Sequence, residues 1–291
     1  MLNGVYTALV TPFNADGSLD EEALRELVDF QIAGGVAGIV PVGTTGESPT
    51  VTHDENIRIV EIVADQTRGR AAVIAGTGSN STAEAVRMTR LAADVGATAT
   101  LQVAPYYNKP TQEGLYRHFI EVAESSRLPV VIYNIPGRTS VSVDPATTLR
   151  LAAHANVTAV KEASGSMAVA MEIIAGAPAE FAVVSGDDNL TLPLMSLGAK
   201  GVISVASNIA PKQMVELVGL AAAGRFEDAR KLHYRLLPLF RAIFVQTNPI
   251  PIKYALARRK MIVESYRLPL CPLSDSDRAI VDRAIDQVMP E

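Results

Sequence analysis

The strongest constraint in this sequence is a regular alternation between short apolar runs and longer stretches of helical character. Eight runs rich in β-branched residues occur along the chain, and a stretch with helical features follows each one. The runs cover residues 4–10, 37–42, 71–75, 97–104, 129–134, 157–162, 181–185 and 201–205. Most are continuously apolar, which is typical of parallel strands that are covered on both faces.

Signals for helix ends lie between these runs. Three pairs have the spacing of a capping box, in which a hydroxyl and a carboxylate satisfy free backbone N–H groups: Ser18 with Glu21, Thr52 with Glu55, and Ser81 with Glu84. Asp144 followed by Pro145 indicates a further helix start. Four glycines follow helical stretches, where a left-handed C-cap is favoured: Gly34, Gly96, Gly198 and Gly224. Eight strand–helix units predict a (β/α)8 TIM barrel over residues 1–224.

Residues 225–291 have no strand signal and are predicted to form a C-terminal helical appendage on the barrel. The stretch 225–245 is helical in pattern but contains Pro238, which predicts a kink or break there. A further helix is expected to begin near Pro251, and another after Ser274 or Ser276.

Composition excludes several functional classes. The 291 residues carry a net charge of −5, which argues against a nucleic-acid partner. No apolar run reaches the roughly 18 residues of a membrane-spanning helix. The chain reaches acidic Asp16 and Asp20 early, so we expect no signal peptide. The single cysteine, Cys271, fits a reducing, cytoplasmic location.

Lys161 is the most informative polar residue. The chemistry of this barrel class lies at the carboxyl ends of the strands, and Lys161 is the only one of seven lysines within an apolar strand. Burial disfavours a charged ammonium and frees the amine to attack a carbonyl. An ion pair with a carboxylate is an equally good interpretation, because buried charges are usually paired.

Other strand ends carry polar residues with two interpretations each. Tyr133, one strand from Lys161, could transfer protons or be a core side chain. Thr44 and Thr45, between glycines, could hold an anion or form a plain turn. Arg138, in a Pro-Gly-Arg loop, suits a carboxylate, although a solvated surface arginine is the more common case.

Metal and nucleotide chemistry are disfavoured. The four histidines show no paired ligand spacing, and Asp187-Asp188 is interpreted as a helix cap. The run Gly76-Thr77-Gly78 lacks the third glycine of a dinucleotide fingerprint. We therefore expect neither a metal nor another cofactor, which leaves carbonyl chemistry through an amine.

These residues occur in motifs that resemble the dihydrodipicolinate synthase family, within the pyruvate-dependent class I aldolases and lyases. The similarity spans essentially the whole chain and continues through Asn248-Pro249-Ile250-Pro251 to Arg267-Leu268-Pro269-Leu270. The motifs are Gly43-Thr44-Thr45-Gly46-Glu47, Tyr106-Tyr107-Asn108-Lys109-Pro110, Tyr133-Asn134-Ile135-Pro136-Gly137-Arg138-Thr139, Lys161-Glu162-Ala163 and Ser185-Gly186-Asp187-Asp188.

The resemblance implies the condensation of pyruvate with L-aspartate 4-semialdehyde, in the diaminopimelate route of lysine biosynthesis. It implies that Lys161 forms a Schiff base with pyruvate. Thr44, Tyr133 and Tyr107 would relay protons, with Tyr107 reaching into a neighbouring subunit of a homotetramer built as a dimer of dimers. Further residues would bind substrate: Thr45 the pyruvate carboxylate, Gly186 and Ile203 through their backbones, and Arg138 the semialdehyde carboxylate.

Two other functions remain open. The N-acetylneuraminate lyases share the glycine–threonine loop, the tyrosine and the lysine, and Arg138 is the residue that favours the semialdehyde. A barrel that has lost catalysis is disfavoured, because all five principal residues are present: Thr44, Tyr107, Tyr133, Arg138 and Lys161.

The resemblance also implies a lysine effector site. Its matching residues here are Ser48, His53, Asn80, Glu84 and Tyr106. Asn56 and Pro49 depart from the pattern of some inhibited relatives, so we expect partial sensitivity. Glu84 has a second interpretation, as the carboxylate of the capping box with Ser81.

Overall fold

Eight parallel strands close into a barrel in chain order. The computed structural model describes residues 2–289. The strands are β1 Gly4–Ala8, β2 Gly38–Val40, β3 Ala72–Gly76, β4 Ala99–Val103, β5 Val130–Asn134, β6 Val157–Glu162, β7 Ala182–Ser185 and β8 Gly201–Ser204. The barrel closes where β8 pairs with β1, with Gly201 opposite Gly4. The predicted barrel is confirmed, and every observed strand overlaps its predicted run.

Helices surround the strands and continue beyond them. They are α1 Glu21–Ala33, α2 His53–Thr67, α3 Thr82–Asp94, α4 Gln112–Ser125, α5 Pro136–Thr139, α6 Pro145–Ala152, α7 Met167–Gly176, α8 Thr191–Ser196, α9 Pro211–Ala222, α10 Phe226–Ala242, α11 Ile250–Arg258 and α12 Asp275–Val288. Within residues 2–289, no helix is both long and apolar enough to cross a bilayer.

The strands bury both of their faces, which explains their continuous apolar sequence. One face fills the barrel interior with side chains that include Tyr6, Leu101 and Tyr133. The other face packs against the helices, in a cluster that extends from Leu24 of α1 to Leu236 of α10. Tyr133 is therefore both a core side chain and a strand-end residue.

The capping signals were correct at some helices and wrong at others. Thr52 and Glu55 form both bonds of a capping box at α2. The predicted box of Ser18 and Glu21 is wrong, because Asp20 caps α1 and accepts from the amide of Ala23. Asp20 lies directly before the helix and takes the N-cap position that the pattern assigns to Ser18.

The third predicted box, of Ser81 with Glu84, is also wrong. Ser81 is the N-cap residue of α3, but its side chain makes no capping bond. The Glu84 carboxylate binds His53 instead, at 2.9 Å. Asp144 precedes α6 with Pro145 in its first turn, as predicted, although the aspartate side chain makes no capping bond.

Three of the four C-cap glycines have the expected positive φ: Gly96, Gly198 and Gly224. Gly34 does not, since its φ is −75° and the left-handed residue is the next one, Gly35, at +83°. The prediction missed this by one residue because two glycines stand side by side.

The predicted break at Pro238 does not occur, because α10 is continuous through it. A proline inside a helix costs about 3 kcal/mol, but α10 buries Leu232, Leu236, Leu239 and Phe240, and that packing outweighs the penalty. α11 begins at Ile250, and Ser274 caps α12, both close to prediction. The division at residue 224 stays a prediction.

Candidate active site

The side chain of Lys161 lies inside the barrel near the carboxyl end of β6. It is 5% exposed, and it stands in register opposite Tyr133 of β5. The Lys161 Nζ lies 4.0 Å from the centre of the Tyr133 ring. Lys161 forms no ion pair with a carboxylate within residues 2–289, so the geometry favours the nucleophile interpretation over the ion pair.

Gly186, directly after β7, makes room for the Lys161 chain. A Cβ atom at this position would lie 2.5 Å from the Cβ of Ala163 and 3.1 Å from the Cε of Lys161. Such contacts are too short for any larger residue unless the lysine moves. Ile203 of β8 is fully buried and belongs to the same interior cluster as Tyr133. Gly186 therefore adjoins the lysine, and Ile203 lies in the same barrel interior as Tyr133.

Thr44 and Thr45 lie in a tight loop after β2, which we call the threonine loop and define as residues 43–47. The Gly46 amide donates to the Gly43 carbonyl at 3.0 Å, and the Glu47 amide donates to the Thr44 carbonyl at 3.1 Å. Thr45 is 2% exposed. The threonine loop is therefore packed into the protein and is not a plain surface turn.

Asn248 contacts both the threonine loop and Arg138. No local sequence pattern marks it as a functional residue. Its Nδ2 donates to the Thr45 hydroxyl at 3.0 Å, and its carbonyl accepts from Arg138 Nη2 at 3.1 Å. Its Oδ1 is buried without a partner among the described residues. The signal was the Asn248-Pro249-Ile250-Pro251 motif, which was noted only as part of the resemblance.

Arg138 lies on α5 with an exposed side chain. Its one hydrogen bond to Asn248 leaves other guanidinium N–H groups free to bind a carboxylate in the bidentate way that arginine favours. A basic group linked through Asn248 to the threonine loop suits a second acidic substrate.

A cleft of about 200 Å³ opens beside these residues. Thr44 and Tyr133 line it together with four of the five predicted effector residues, Ser48, His53, Glu84 and Tyr106. The fifth, Asn80, adjoins it, because its Nδ2 donates to the Tyr106 carbonyl at 3.2 Å. Lys161, Gly186 and Arg138 do not line this cleft, so Thr44 and Tyr133 separate it from the lysine.

Two charged side chains at the cleft contact His53. Its Nε2 contacts Glu84 at 2.9 Å, and its Nδ1 contacts Arg87 at 2.7 Å. Asn56 donates to the Gly76 carbonyl, and its Oδ1 is buried without a partner among residues 2–289. The cleft thus offers a carboxylate, an imidazole and an amide oxygen to a polar ligand.

Tyr107 lies apart from the other predicted residues. It is 89% exposed and has a φ of +73°, which is unusual for a residue with a side chain. It contributes nothing to the site of its own chain in this conformation. A proton-relay role for Tyr107 depends on a second subunit.

Asp187 takes the predicted N-cap position before residues 188–190 but makes no side-chain capping bond. Asp188 makes other contacts. It is buried, and it accepts from the Ser204 hydroxyl and from the amides of Val205 and Ala206. Burial raises its pKa to about 6 against these hydrogen bonds. Neighbouring Asp187 also has a raised pKa through burial, while the charge of Lys161 lowers it. Asp188 therefore fixes the carboxyl end of β8, next to Ile203.

Across residues 2–289, no group of three or more histidine, cysteine or acidic side chains could hold a metal ion. The chemistry that this arrangement can perform with its own groups is amine attack on a carbonyl. In that chemistry Lys161 is the candidate nucleophile, Tyr133 is the nearby phenol, and the threonine loop and Arg138 are candidate groups for binding an anion.

Comparisons with known proteins agree with this geometry. Residues 1–288 match the model of the dihydrodipicolinate synthetase family. A relative named 4-hydroxy-tetrahydrodipicolinate synthase, from Syntrophobacter fumaroxidans, is 53% identical over 279 residues, which cover 96% of each chain.

Solved structures of similar proteins superpose along the whole chain. A dihydrodipicolinate synthase from Acinetobacter baumannii, complexed with pyruvate, has a TM-score of 0.97 and 41% identity over 99% of each chain. A homologous structure from Cyanidioschyzon merolae, with lysine bound, has a TM-score of 0.96 and 40% identity over 98% of each chain. From the family model and the relatives together, this chain belongs to the dihydrodipicolinate synthetase family.

Proposed function

We propose that this chain is a 4-hydroxy-tetrahydrodipicolinate synthase, which condenses pyruvate with L-aspartate 4-semialdehyde. The observation that carries the proposal is the buried Lys161 amine, held against the Tyr133 ring and beside Gly186 without a carboxylate partner among the described residues. The relatives of the same name, at about half identity over nearly the full length, support it.

The reaction starts at the Lys161 amine. It adds to the ketone of pyruvate, and loss of water gives an imine, whose protonated form withdraws electrons from the adjacent methyl group. The methyl loses a proton to give an enamine. Tyr133 is the phenol placed to carry these protons, with Thr44 beside it in the cleft.

The second half forms the carbon–carbon bond. The enamine carbon attacks the aldehyde of the semialdehyde, whose amino group then adds to the imine carbon and expels Lys161. The ring closes as a cyclic hydroxy acid, and the free lysine is regenerated. Thr45 holds the pyruvate carboxylate and Arg138 the semialdehyde carboxylate, which orients the two reacting carbons.

A coupled assay distinguishes this reaction from that of a sugar-acid lyase. The purified protein is supplied with pyruvate and aspartate semialdehyde, and separately with N-acetylneuraminate. We expect turnover only with the first pair. Turnover of N-acetylneuraminate alone would assign the chain to the lyase branch, and turnover of neither would support a barrel without catalysis.

We also propose a homotetramer built from two dimers, in the cytoplasm. Tyr107, at 89% exposure, needs a second subunit to reach a site. A surface groove lined by the exposed residues Phe226 and Tyr234 of α10 offers a surface for the second contact. Sedimentation analysis should give four chains, and a monomer with full activity would contradict the proton role of Tyr107.

The cleft lined by Ser48, His53, Glu84 and Tyr106, which we call the effector cleft, is proposed to bind L-lysine. The Glu84 carboxylate suits the ligand's ammonium groups, and the lysine-bound relative supports the ligand. Because Asn56 carries no charge, we expect partial inhibition. Turnover measured with and without millimolar lysine tests this, and unchanged turnover would contradict it.

A further inference from the structure

Lys253 of α11 is fully buried, and it forms an ion pair with Glu47 that has no exposed atoms on either side chain. Glu47 is the last residue of the threonine loop and has a φ of +56°. A residue with a side chain rarely adopts this left-handed conformation unless its surroundings hold it there. The ion pair supplies such a restraint.

The residues around the ion pair exclude water from it. The Lys253 Nζ lies 4.4 Å from the centre of the Phe13 ring and 5.4 Å from that of Tyr266. The second oxygen of Glu47 accepts from the Arg267 amide at 3.3 Å. Burial lowers the pKa of Lys253, while Glu47 raises it. A buried ion pair is weak evidence for a contribution to fold stability, because apolar residues of similar volume often stabilise a fold equally well.

Hydrogen bonds connect the ion pair of Lys253 and Glu47 to Thr44 and Thr45. The Glu47 amide bonds the Thr44 carbonyl, so the conformation of Glu47 directs the backbone of Thr44. The Thr45 hydroxyl accepts from Asn248, which lies just before α11. One C-terminal segment therefore holds the threonine loop at two points.

We propose that Lys253 is a positioning residue for the reaction, because it fixes Glu47 and through it the places of Thr44 and Thr45. The inference rests on the proposed function for the roles of the two threonines. It also makes the C-terminal segment, predicted as an appendage, a working part of the active site.

The first test is Lys253→Met, with Arg258→Met as the matched control. Arg258 lies on the same helix and binds Asp282 and Asp286 of α12, away from the loop. Borohydride trapping gives the pyruvate concentration for half-saturation. We expect Lys253→Met to raise it about tenfold or more, since small misplacements of binding groups have effects of this size. Arg258→Met should leave it unchanged, and equal values in both variants would overturn the proposal.

Removing Lys253 alone leaves a buried, unpaired carboxylate, which can prevent folding. The double variant Lys253→Met with Glu47→Gln removes both charges. We expect it to recover thermal stability while the half-saturation concentration of pyruvate stays raised. Recovery of both would show that the pair serves stability alone.

Hydrogen exchange provides a readout that does not depend on activity. In Lys253→Met or the double variant, amides of residues 43–47 should exchange faster, with little change in the barrel strands. A wild-type protein that traps no pyruvate would contradict the proposed function but not this restraint. Unchanged exchange across the loop would overturn the restraint itself.

Discussion

Lys161 and Tyr133 stand opposite each other on neighbouring parallel strands, with the lysine nitrogen 4.0 Å from the centre of the tyrosine ring. Parallel pairing in this register sends both side chains into the barrel at the same height. The ring covers one side of the amine. The two strands thus place the proposed nucleophile beside the proposed proton carrier.

Tyr133→Phe should keep this ring contact and remove only the hydroxyl. We expect turnover to fall about 10²- to 10⁴-fold, the usual contribution of a proton-transfer group, while the thermal midpoint changes little. Steady-state kinetics and a thermal melt measure the two effects. Turnover within twofold of wild type would exclude Tyr133 from proton transfer.

Gly186→Ala should displace the Lys161 side chain, because the added methyl group would meet its Cε at 3.1 Å and Ala163 at 2.5 Å. We expect pyruvate trapping to slow by about 10²-fold, as for other small misplacements of reacting groups. Gly137→Ala, at a glycine with open space around its Cβ position, is the control. Equal trapping rates in both variants would contradict the role of Gly186.

Arg138→Ala should separate the two substrates. Loss of a charge-assisted bond is worth about 1.5–3 kcal/mol, so the KM for aspartate semialdehyde should rise about 10- to 100-fold. Pyruvate trapping on Lys161 should be unchanged, since the Arg138 side chain bonds only to the Asn248 carbonyl among the described residues. Trapping lost along with turnover would contradict the assignment.

Acid should weaken the chain through Glu55. The pKa of Glu55 is lowered from 4.5 to about 2, chiefly by two bonds from Arg267, of 2.6 and 2.7 Å, with a smaller contribution from hydrogen bonds to Thr52. A carboxyl group whose pKa is lower in the folded state than in the unfolded state stabilises the fold at pH values above the unfolded-state pKa. That stabilisation is lost as the pH falls toward the folded-state pKa. Between pH 7 and pH 3 this removes about 2 kcal/mol of unfolding free energy.

Arg267→Met tests that assignment. Urea titrations at several pH values should show a smaller acid loss in the variant than in wild type, by up to about 2 kcal/mol over the same interval, since the bonds to Thr52 remain. Parallel losses in the two proteins would mean that other carboxyl groups cause the acid sensitivity.

The sequence predicted the barrel because strand-like runs and helical stretches alternate eight times, and local pattern suffices for that. It also located Lys161, since a lysine in an apolar strand is rare. Pro238 was misjudged because its effect depends on the packing of α10, which no local signal shows. Ser18 was misjudged because two candidate caps, Ser18 and Asp20, stand within three residues.

The unpredicted part of the site consists of long-range contacts. Asn248 meets Thr45 across 203 positions, and Lys253 meets Glu47 across 206. Neither residue has a local pattern that separates it from ordinary helix or loop residues. Asp188 was interpreted as part of a cap because its hydrogen-bond partners, Ser204, Val205 and Ala206, lie at the end of a different strand, β8.

The most direct test of the central claim is borohydride reduction in the presence of pyruvate, followed by peptide mapping of the trapped protein. We predict one stable adduct per chain, on Lys161, and none in Lys161→Ala, which should also lose nearly all turnover. An adduct on any of the other six lysines, or turnover that survives in Lys161→Ala, would contradict the account.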